Sequence, residues 1–125
     1  MTKSQYSFLK IGSILMAISV ALGAVGAHLL KNTLPAKELE TFLTGVRYQT
    51  IHSLSLIILS LLPKNNYIKF TGTLFLAGII FFSFGCYAYA LTGIKSFVHI
   101  VPIGGISFIT GWVILFFSKI KKDKI

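Results

Sequence analysis

Few side chains in this chain of 125 amino acids are suited to catalysis or metal binding, and most of them lie far apart in the sequence. They are three histidines, one cysteine and three acids: His28, His52, His99, Cys86, Glu38, Glu40 and Asp123. Their spacing matches no zinc site, no nucleophile with a neighbouring base and no paired carboxylates within an apolar segment, and no glycine loop suits a phosphate group. The sequence therefore predicts no catalytic residue, no metal site and no cofactor, in a protein that is not an enzyme.

A second group of polar residues lies inside apolar segments. At about 100° per residue, Tyr48, Gln49 and His52 share one arc of a helix. His28 ends a row of small residues at helical spacing that is expected to face the same interior: Ser13, Ala17, Ala21 and Ala24. The sequence thus predicts an intramembrane polar cluster of His28, Tyr48, Gln49 and His52. Its role is either hydrogen bonding that fixes helix register or a small-ligand or proton site, because histidine titrates near neutral pH.

The composition indicates the medium that surrounds this cluster. Apolar residues make up 54% of the chain and charged residues only 12%, against about 25% charged in soluble domains. These charges are too few to cover a water-facing surface, so the predicted medium is the lipid bilayer. The net charge of +9 does not indicate nucleic-acid binding, because the basic residues lie at the ends of apolar runs and form no stripe with aromatic residues.

Four apolar segments must position the polar residues, and each is long enough to span a membrane. The predicted helices cover about residues 11–30, 35–62, 72–91 and 98–118, and the apolar part of the second begins near Leu43. At about 1.5 Å rise per residue, each helix would cross a hydrocarbon core of about 30 Å. The prediction is an all-α fold with a single domain, residues 1–125: an integral membrane four-helix bundle with antiparallel up-down topology. The fourth helix either begins near Val101 or is kinked there, because Pro102 follows.

The distribution of basic residues predicts the orientation. Eight lysines lie in the N-terminal tail, the second connection and the C-terminal tail: Lys3, Lys10, Lys64, Lys69, Lys119, Lys121, Lys122 and Lys124. The other side has only Lys31, Lys37, Lys95 and Arg47. Since cytoplasmic segments carry the excess of positive charge, both termini are predicted to be cytoplasmic. The alternative is that the first segment is a cleaved signal peptide.

Small residues are expected to mark the contacts between helices, because helices in lipid gain little from burying apolar area. The predicted packing glycines are Gly23, Gly26, Gly78, Gly85, Gly104, Gly105 and Gly111. Cys86 and Trp112 are also expected to fill packing positions, whereas Tyr87, near a segment end, is expected to anchor at the membrane interface. Arg47 lies on the opposite side of its helix from Gln49 and is expected to extend to the outer interface.

Four stretches of the sequence resemble a known family of small membrane proteins. They are Gly23-Ala24-Val25-Gly26-Ala27-His28, Tyr48-Gln49-x-x-His52-x-Leu54, Leu91-Thr92-Gly93 and Pro102-Ile103-Gly104-Gly105-x-x-Phe108-x-x-Gly111-Trp112. They resemble, in order, the domain of unknown function 423 family, which includes bacterial YgdD-like proteins and a eukaryotic transmembrane relative. The resemblance implies a four-span protein of the bacterial cytoplasmic (inner) membrane. It implies no activity and no catalytic residues.

Two functions remain open at this point. The first is a non-enzymatic, multi-pass membrane protein that packs with a second copy or a membrane-protein partner through its glycine-rich faces. The second is a small-solute or ion transporter, acting as an oligomer, that uses the polar face around Gln49 and His52. The lipid bilayer is the partner that both require, and neither involves nucleic acid.

Overall fold

The computed structural model describes residues 1–121, and over that range every regular element is helical. The long helices are α1 (Lys3–His28), α2 (Ala36–Leu61), α3 (Asn66–Thr92) and α4 (Val101–Phe117). A short 3-10 turn, Lys95–His99, precedes α4, and the middle of α3 is a π turn, Ile79–Ser83. Lys122 and Lys124, two of the lysines used to predict the orientation, lie outside the described residues.

Two helices begin earlier than their apolar segments suggested. Thr2 and Gln5 form a capping box at the start of α1, in which each side chain bonds the other residue's backbone. The Asn65 side chain accepts a hydrogen bond from the Tyr67 amide at the start of α3. Because capping residues satisfy the first free amides of a helix, α1 starts at Lys3 instead of near residue 11, and α3 starts at Asn66 instead of near residue 72.

The other boundaries follow the breaking residues. α2 begins directly after Pro35, and α4 begins at Val101 with a proline in its first turn, which confirms the first of the two alternatives for that helix. α3 ends at Gly93, whose φ of 70° is left-handed and therefore suits glycine.

The helices pack as two antiparallel hairpins placed side by side. α1 packs chiefly on α2, α3 packs on α4, and the face of α2 that points away from α1 contacts α3. Side-chain bonds tie the segments together at one end of the bundle: Gln5 Nε2 donates to the Leu62 carbonyl, and Asn65 Nδ2 donates to the Lys119 carbonyl, both at 2.7 Å. This end, which carries Lys3, Lys64, Lys69 and Lys119, is called the lysine-rich end below.

Three of the helical segments are long and apolar enough to cross a membrane: Lys3–His28, Asn66–Thr92 and Lys95–Phe117. They carry large apolar side chains on their outer faces, for example Ile18, Ile106 and Phe116, which suits contact with lipid. α2 is not among the three, because charged residues occupy its first turns and polar residues line its buried face. Within residues 1–121 the chain is thus a helical bundle with several membrane-spanning segments.

Glycines set the distances between these helices. A side chain at any of five predicted packing positions would press on or overlap a neighbouring helix: Gly26, Gly78, Gly85, Gly104 and Gly111. The other two, Gly23 and Gly105, have room, since the nearest atoms would lie 3.5 and 3.7 Å from an added Cβ. Three glycines outside the predicted set are equally tight: Gly12, Gly45 and Gly72. The tight glycines therefore serve contacts within this chain.

Candidate functional site

Gln49, in the middle of α2, connects three helices. Its side chain is fully buried, with 0% exposure. Nε2 donates to the Leu15 carbonyl on α1 at 2.8 Å, and Oε1 accepts a hydrogen bond from the Tyr87 hydroxyl on α3 at 2.6 Å. A buried amide without partners would be costly, so these two bonds explain how an apolar interior accommodates a glutamine.

His52 lies one turn further along α2 and connects α2 to α4. Its Nδ1 is 2.7 Å from the Tyr48 carbonyl, and its Nε2 is 3.0 Å from Trp112 Nε1. A carbonyl only accepts and an indole N–H only donates, so Nδ1 carries the hydrogen and Nε2 offers its lone pair. This pair of bonds assigns the neutral Nδ1–H tautomer, because a proton on Nε2 would face the indole N–H.

Aromatic rings surround the His52 imidazole. It stacks on Phe108 with centroids 3.6 Å apart and an interplanar angle of 10°, and it meets the edge of Phe75 at 5.0 Å. The Tyr48 ring, which is exposed, packs at a tilt on Phe82 at 4.7 Å. Each such pair contributes about 0.5–1.5 kcal/mol beyond its buried area. The rings therefore restrict the orientation of the imidazole in addition to its two hydrogen bonds.

The π turn in α3 brings Tyr87 to this site. Four buried residues of α3 follow one another at intervals of four: Phe75, Ile79, Ser83 and Tyr87. In a regular α-helix such a row would rotate by about 40° at each step and leave the interface. The wider π turn at Ile79–Ser83 compensates for this rotation, so the whole row faces α2 and α4.

Glycines on the two neighbouring helices accommodate the π turn. Gly45 on α2 packs against the Ser83 carbonyl, which would lie 3.0 Å from an added Cβ, and Gly104 on α4 packs against the Phe82 backbone. Two buried hydroxyls close to the network, those of Ser53 and Ser83, have no hydrogen-bond partner within the described residues. The network as a whole, called the Gln49–His52 network below, comprises Tyr48, Gln49, His52, Tyr87 and Trp112.

The structure places His28 away from this network. His28 is exposed at the end of α1, and the row of small residues that leads to it also faces outward. The buried face of α1 is instead the one with Phe8, Gly12, Ser19 and Gly26. The physical reason is close approach: at Gly12 an added Cβ would lie only 2.9 Å from the Ser53 carbonyl on α2, so only a glycine face admits α2 this closely. Of the four residues in the expected cluster, Gln49 and His52 are buried together, Tyr48 lies beside them but is exposed, and His28 lies apart.

Tyr87 and Trp112 are the partners that the sequence did not identify. Tyr87 is not an interface anchor, since it is buried to 9% exposure and donates to Gln49. Trp112 does pack, yet its indole N–H also donates to His52. A usable signal was present, because a buried glutamine and histidine need donors or acceptors, and tyrosine and tryptophan each supply a donor on an apolar ring.

The chemistry available at the network is limited by its own bonds. The lone pair of His52 Nε2 and the Gln49 carbonyl oxygen are both already engaged as acceptors. Among residues 1–121, no three His, Cys, Asp or Glu side chains converge on one point. The arrangement can hold helices at a fixed rotation and depth, because each bond joins α2 to a different neighbour.

The fold and the Gln49–His52 network are those of a multi-pass membrane protein whose internal polar residues form hydrogen bonds between helices. Residues 22–105 match the family described as Protein of unknown function (DUF423), and the chain belongs to that family, which confirms the resemblance seen in its four stretches.

Named relatives are similar along almost the whole chain. The chain is 38% identical to UPF0382 membrane protein SH2409 of Staphylococcus haemolyticus, with 91% of this chain and 95% of that protein covered. It is 34% identical to UPF0382 membrane protein YwdK of Bacillus subtilis, with 91% and 96% covered. It is 35% identical to UPF0382 inner membrane protein YgdD of Escherichia coli, with 83% and 82% covered. No solved structure matches the chain.

Proposed function

We propose that this protein is a non-enzymatic structural unit of the bacterial cytoplasmic membrane, a four-span bundle whose buried polar residues fix helix register. The observation that carries the proposal is the Gln49–His52 network, in which the buried amide and imidazole bond to neighbouring helices. The Escherichia coli relative is named an inner membrane protein, and the family name assigns no activity.

The energetics of the network favour this role. Hydrogen bonds between helices in a membrane contribute about 0.6–2 kcal/mol each. The network has one such bond from α2 to each of the other helices: Leu15 on α1, Tyr87 on α3 and Trp112 on α4. A rotation of any helix would break at least one of them and leave a buried polar group without a partner. The bonds therefore select a single arrangement from those that the apolar surfaces would allow.

The surface that remains for a second copy or a membrane-protein partner is the lipid-facing one. The tight glycines are occupied by contacts within the chain, as at Gly104 and Gly111. We therefore do not propose partner contact through glycine-rich faces. Apolar side chains on the outer faces of α1 and α4, such as Ile14, Val20 and Ile109, are the ones available to a partner in the bilayer.

The first test compares stability and transport in the same variants. His52→Ala removes the acceptor of Trp112 and the stacked ring on Phe108, so we expect it to lower the free energy of unfolding in detergent by about 2–3 kcal/mol. His28→Ala is the matched control, and because His28 is exposed we expect no measurable change. In proteoliposomes, we expect wild-type protein to move protons, Na⁺ and K⁺ no faster than protein-free vesicles do.

A contrary result would support the transporter function. Flux through wild-type protein that disappears in His52→Ala, with the variant still folded, would contradict the structural role. Unchanged stability of His52→Ala would contradict it as well.

The proposed topology has four spans with both termini in the cytoplasm. α2 has 26 residues, as α1 does, and lies between α1 and α3, which cover its polar face. Its charged residues are near one end, and Arg47 is exposed and long enough to reach the outer interface. The lysine-rich end would be the cytoplasmic one, because loops with excess Lys and Arg stay inside.

The topology is tested with single introduced cysteines and a membrane-impermeant maleimide. In intact cells, where the maleimide reaches only the outer face of the cytoplasmic membrane, we expect Lys95→Cys to be labelled. We expect Lys64→Cys to be labelled only after the membrane is permeabilised. The parental chain is the control, because its one cysteine, Cys86, is buried and should remain unlabelled. Labelling of Lys64→Cys in intact cells would exclude the proposed orientation.

A further inference from the structure

An open cavity of about 290 Å³ lies at the lysine-rich end, between the first turns of α1 and α3 and the loop that follows α2. Its rim is polar and includes three lysines and several uncharged groups: Thr2, Lys3, Ser4, Lys64, Asn66 and Lys69. Its floor is apolar and formed by Phe8, Leu62 and Ile68.

The positive charge at this cavity has no acidic counterpart within residues 1–121. The acids in that range, Glu38 and Glu40, lie in the first turns of α2, whereas the cavity is beside Leu62 just past the other end of that helix. The separation along α2 is about 35 Å at 1.5 Å per residue, which is several Debye lengths at physiological salt. Three exposed lysines therefore line one open space with no acid of residues 1–121 beside them, and an anion in that space would be attracted by all three.

The loop that carries Lys64 is held in place. Pro63 restricts the backbone before it, and Asn65 after it both accepts from the Tyr67 amide and donates to the Lys119 carbonyl. The first turns of α1 and α3 line the same space, and the positive ends of the two helix dipoles add to the charge of the lysines. The rim is thus preorganised, so binding of an anion would cost little conformational entropy.

A groove continues from this rim along the outer surface, lined by Phe8 and by polar residues with short or largely aliphatic side chains: Lys3, Ser4, Ser7, Lys69 and Thr73. A neighbouring cavity of about 280 Å³ shares Lys3, Ser4, Phe8 and Lys69 with the first and extends to Thr73, along the groove between α1 and α3. Phe8 contributes to the lining of both cavities. A soluble anion would use only the polar rim, whereas a molecule with a charged head and a hydrocarbon tail would occupy the rim and the groove together.

We propose that this rim and groove bind one anionic phospholipid, with its phosphate-bearing headgroup among Lys3, Lys64 and Lys69 and an acyl chain along the groove past Phe8. Lysine ammonium groups and hydroxyls are suitable donors to phosphate oxygens, and basic pockets between membrane helices bind such headgroups. The site concerns the surface of the bundle and does not depend on the role proposed for the Gln49–His52 network.

The test is lipid binding by the purified, delipidated full chain, measured by native mass spectrometry with added phosphatidylglycerol or phosphatidylcholine. We expect phosphatidylglycerol to bind more tightly. The triple variant Lys3→Gln, Lys64→Gln, Lys69→Gln should lose affinity for it by on the order of 100-fold. The matched control, Lys31→Gln, Lys37→Gln, Lys95→Gln, removes the same charge from other positions and should change affinity by less than about threefold. Equal losses in the two triple variants would overturn the site.

Two further experiments distinguish binding of a lipid from binding of free phosphate. Thr73→Trp fills the groove one turn past Lys69 and leaves all three lysine charges in place, so it should weaken phosphatidylglycerol binding. Inorganic phosphate should not displace the bound lipid. Displacement by phosphate, or an unchanged affinity in Thr73→Trp, would show that the rim takes a phosphate group without the acyl chain and would overturn the lipid assignment. Thermal unfolding of each variant verifies that a loss of binding does not reflect a loss of fold.

Discussion

Gly104→Ala is expected to destabilise the protein by about 3 kcal/mol or to prevent its folding. An added Cβ at Gly104 would overlap the backbone nitrogen of Phe82 and lie within 2.8 Å of the Phe82 Cα. Backbone atoms cannot rotate away as a side chain can, so α3 and α4 would have to separate at the π turn. The measurement is reversible unfolding in detergent micelles, followed by circular dichroism.

The adjacent residue provides a matched control for this prediction. At Gly105 the nearest atoms would lie 3.7 and 4.0 Å from an added Cβ, which is ordinary contact. Alanine is also the better helix former by about 1 kcal/mol, so Gly105→Ala should leave stability unchanged or raise it slightly. If the two variants were equally stable, the close approach of α3 and α4 would not limit the fold.

Gln49→Leu is expected to lower stability by about 2 kcal/mol, although leucine is apolar and similar in size. The substitution leaves the Tyr87 hydroxyl buried without its acceptor and removes the bond to the Leu15 carbonyl. A chemical denaturation curve in micelles measures the loss. Thr50→Val at the next position is the control, since the Thr50 hydroxyl bonds only to Val46 within its own helix, and we expect a change below about 0.5 kcal/mol.

A double-mutant cycle separates the bond from the general effect of burying a new side chain. Tyr87→Phe should cost about 1 kcal/mol in the wild type, because it leaves the Gln49 oxygen without its donor. In the Gln49→Leu background the same change should cost nothing or should stabilise, because it removes the unpaired hydroxyl. Equal costs in both backgrounds would mean that the bond between α2 and α3 contributes nothing to stability.

Much of the fold could be predicted from the sequence because the information is local. The length of each apolar segment and the breaking residues between them indicate four helices, and the start of α4 follows from Pro102. The periodicity of α2 alone places Gln49 and His52 on one arc, and both are buried. The starts of α1 and α3 were missed, since a cap extends a helix beyond its apolar run.

The hydrogen-bond partners of Gln49 and His52 could not be predicted in the same way. Which face of α1 packs on α2 depends on how closely the two helices approach. By composition, the row of small residues that ends at His28 and the row that contains Gly12 suit a helix contact in lipid almost equally well. The π turn that directs Tyr87 inward, and the bond from Trp112 to His52, join residues that lie far apart in the sequence.

Span length and helical period are properties of single segments, so they are enough to predict a helical membrane protein in which Gln49 and His52 face the interior. The exposure of His28 and Tyr48, and the bonds that Tyr87 and Trp112 make to the network, follow instead from how the helices pack. Hydrogen bonds and glycine contacts between helices respond to differences of a few tenths of an ångström, which no single helix specifies.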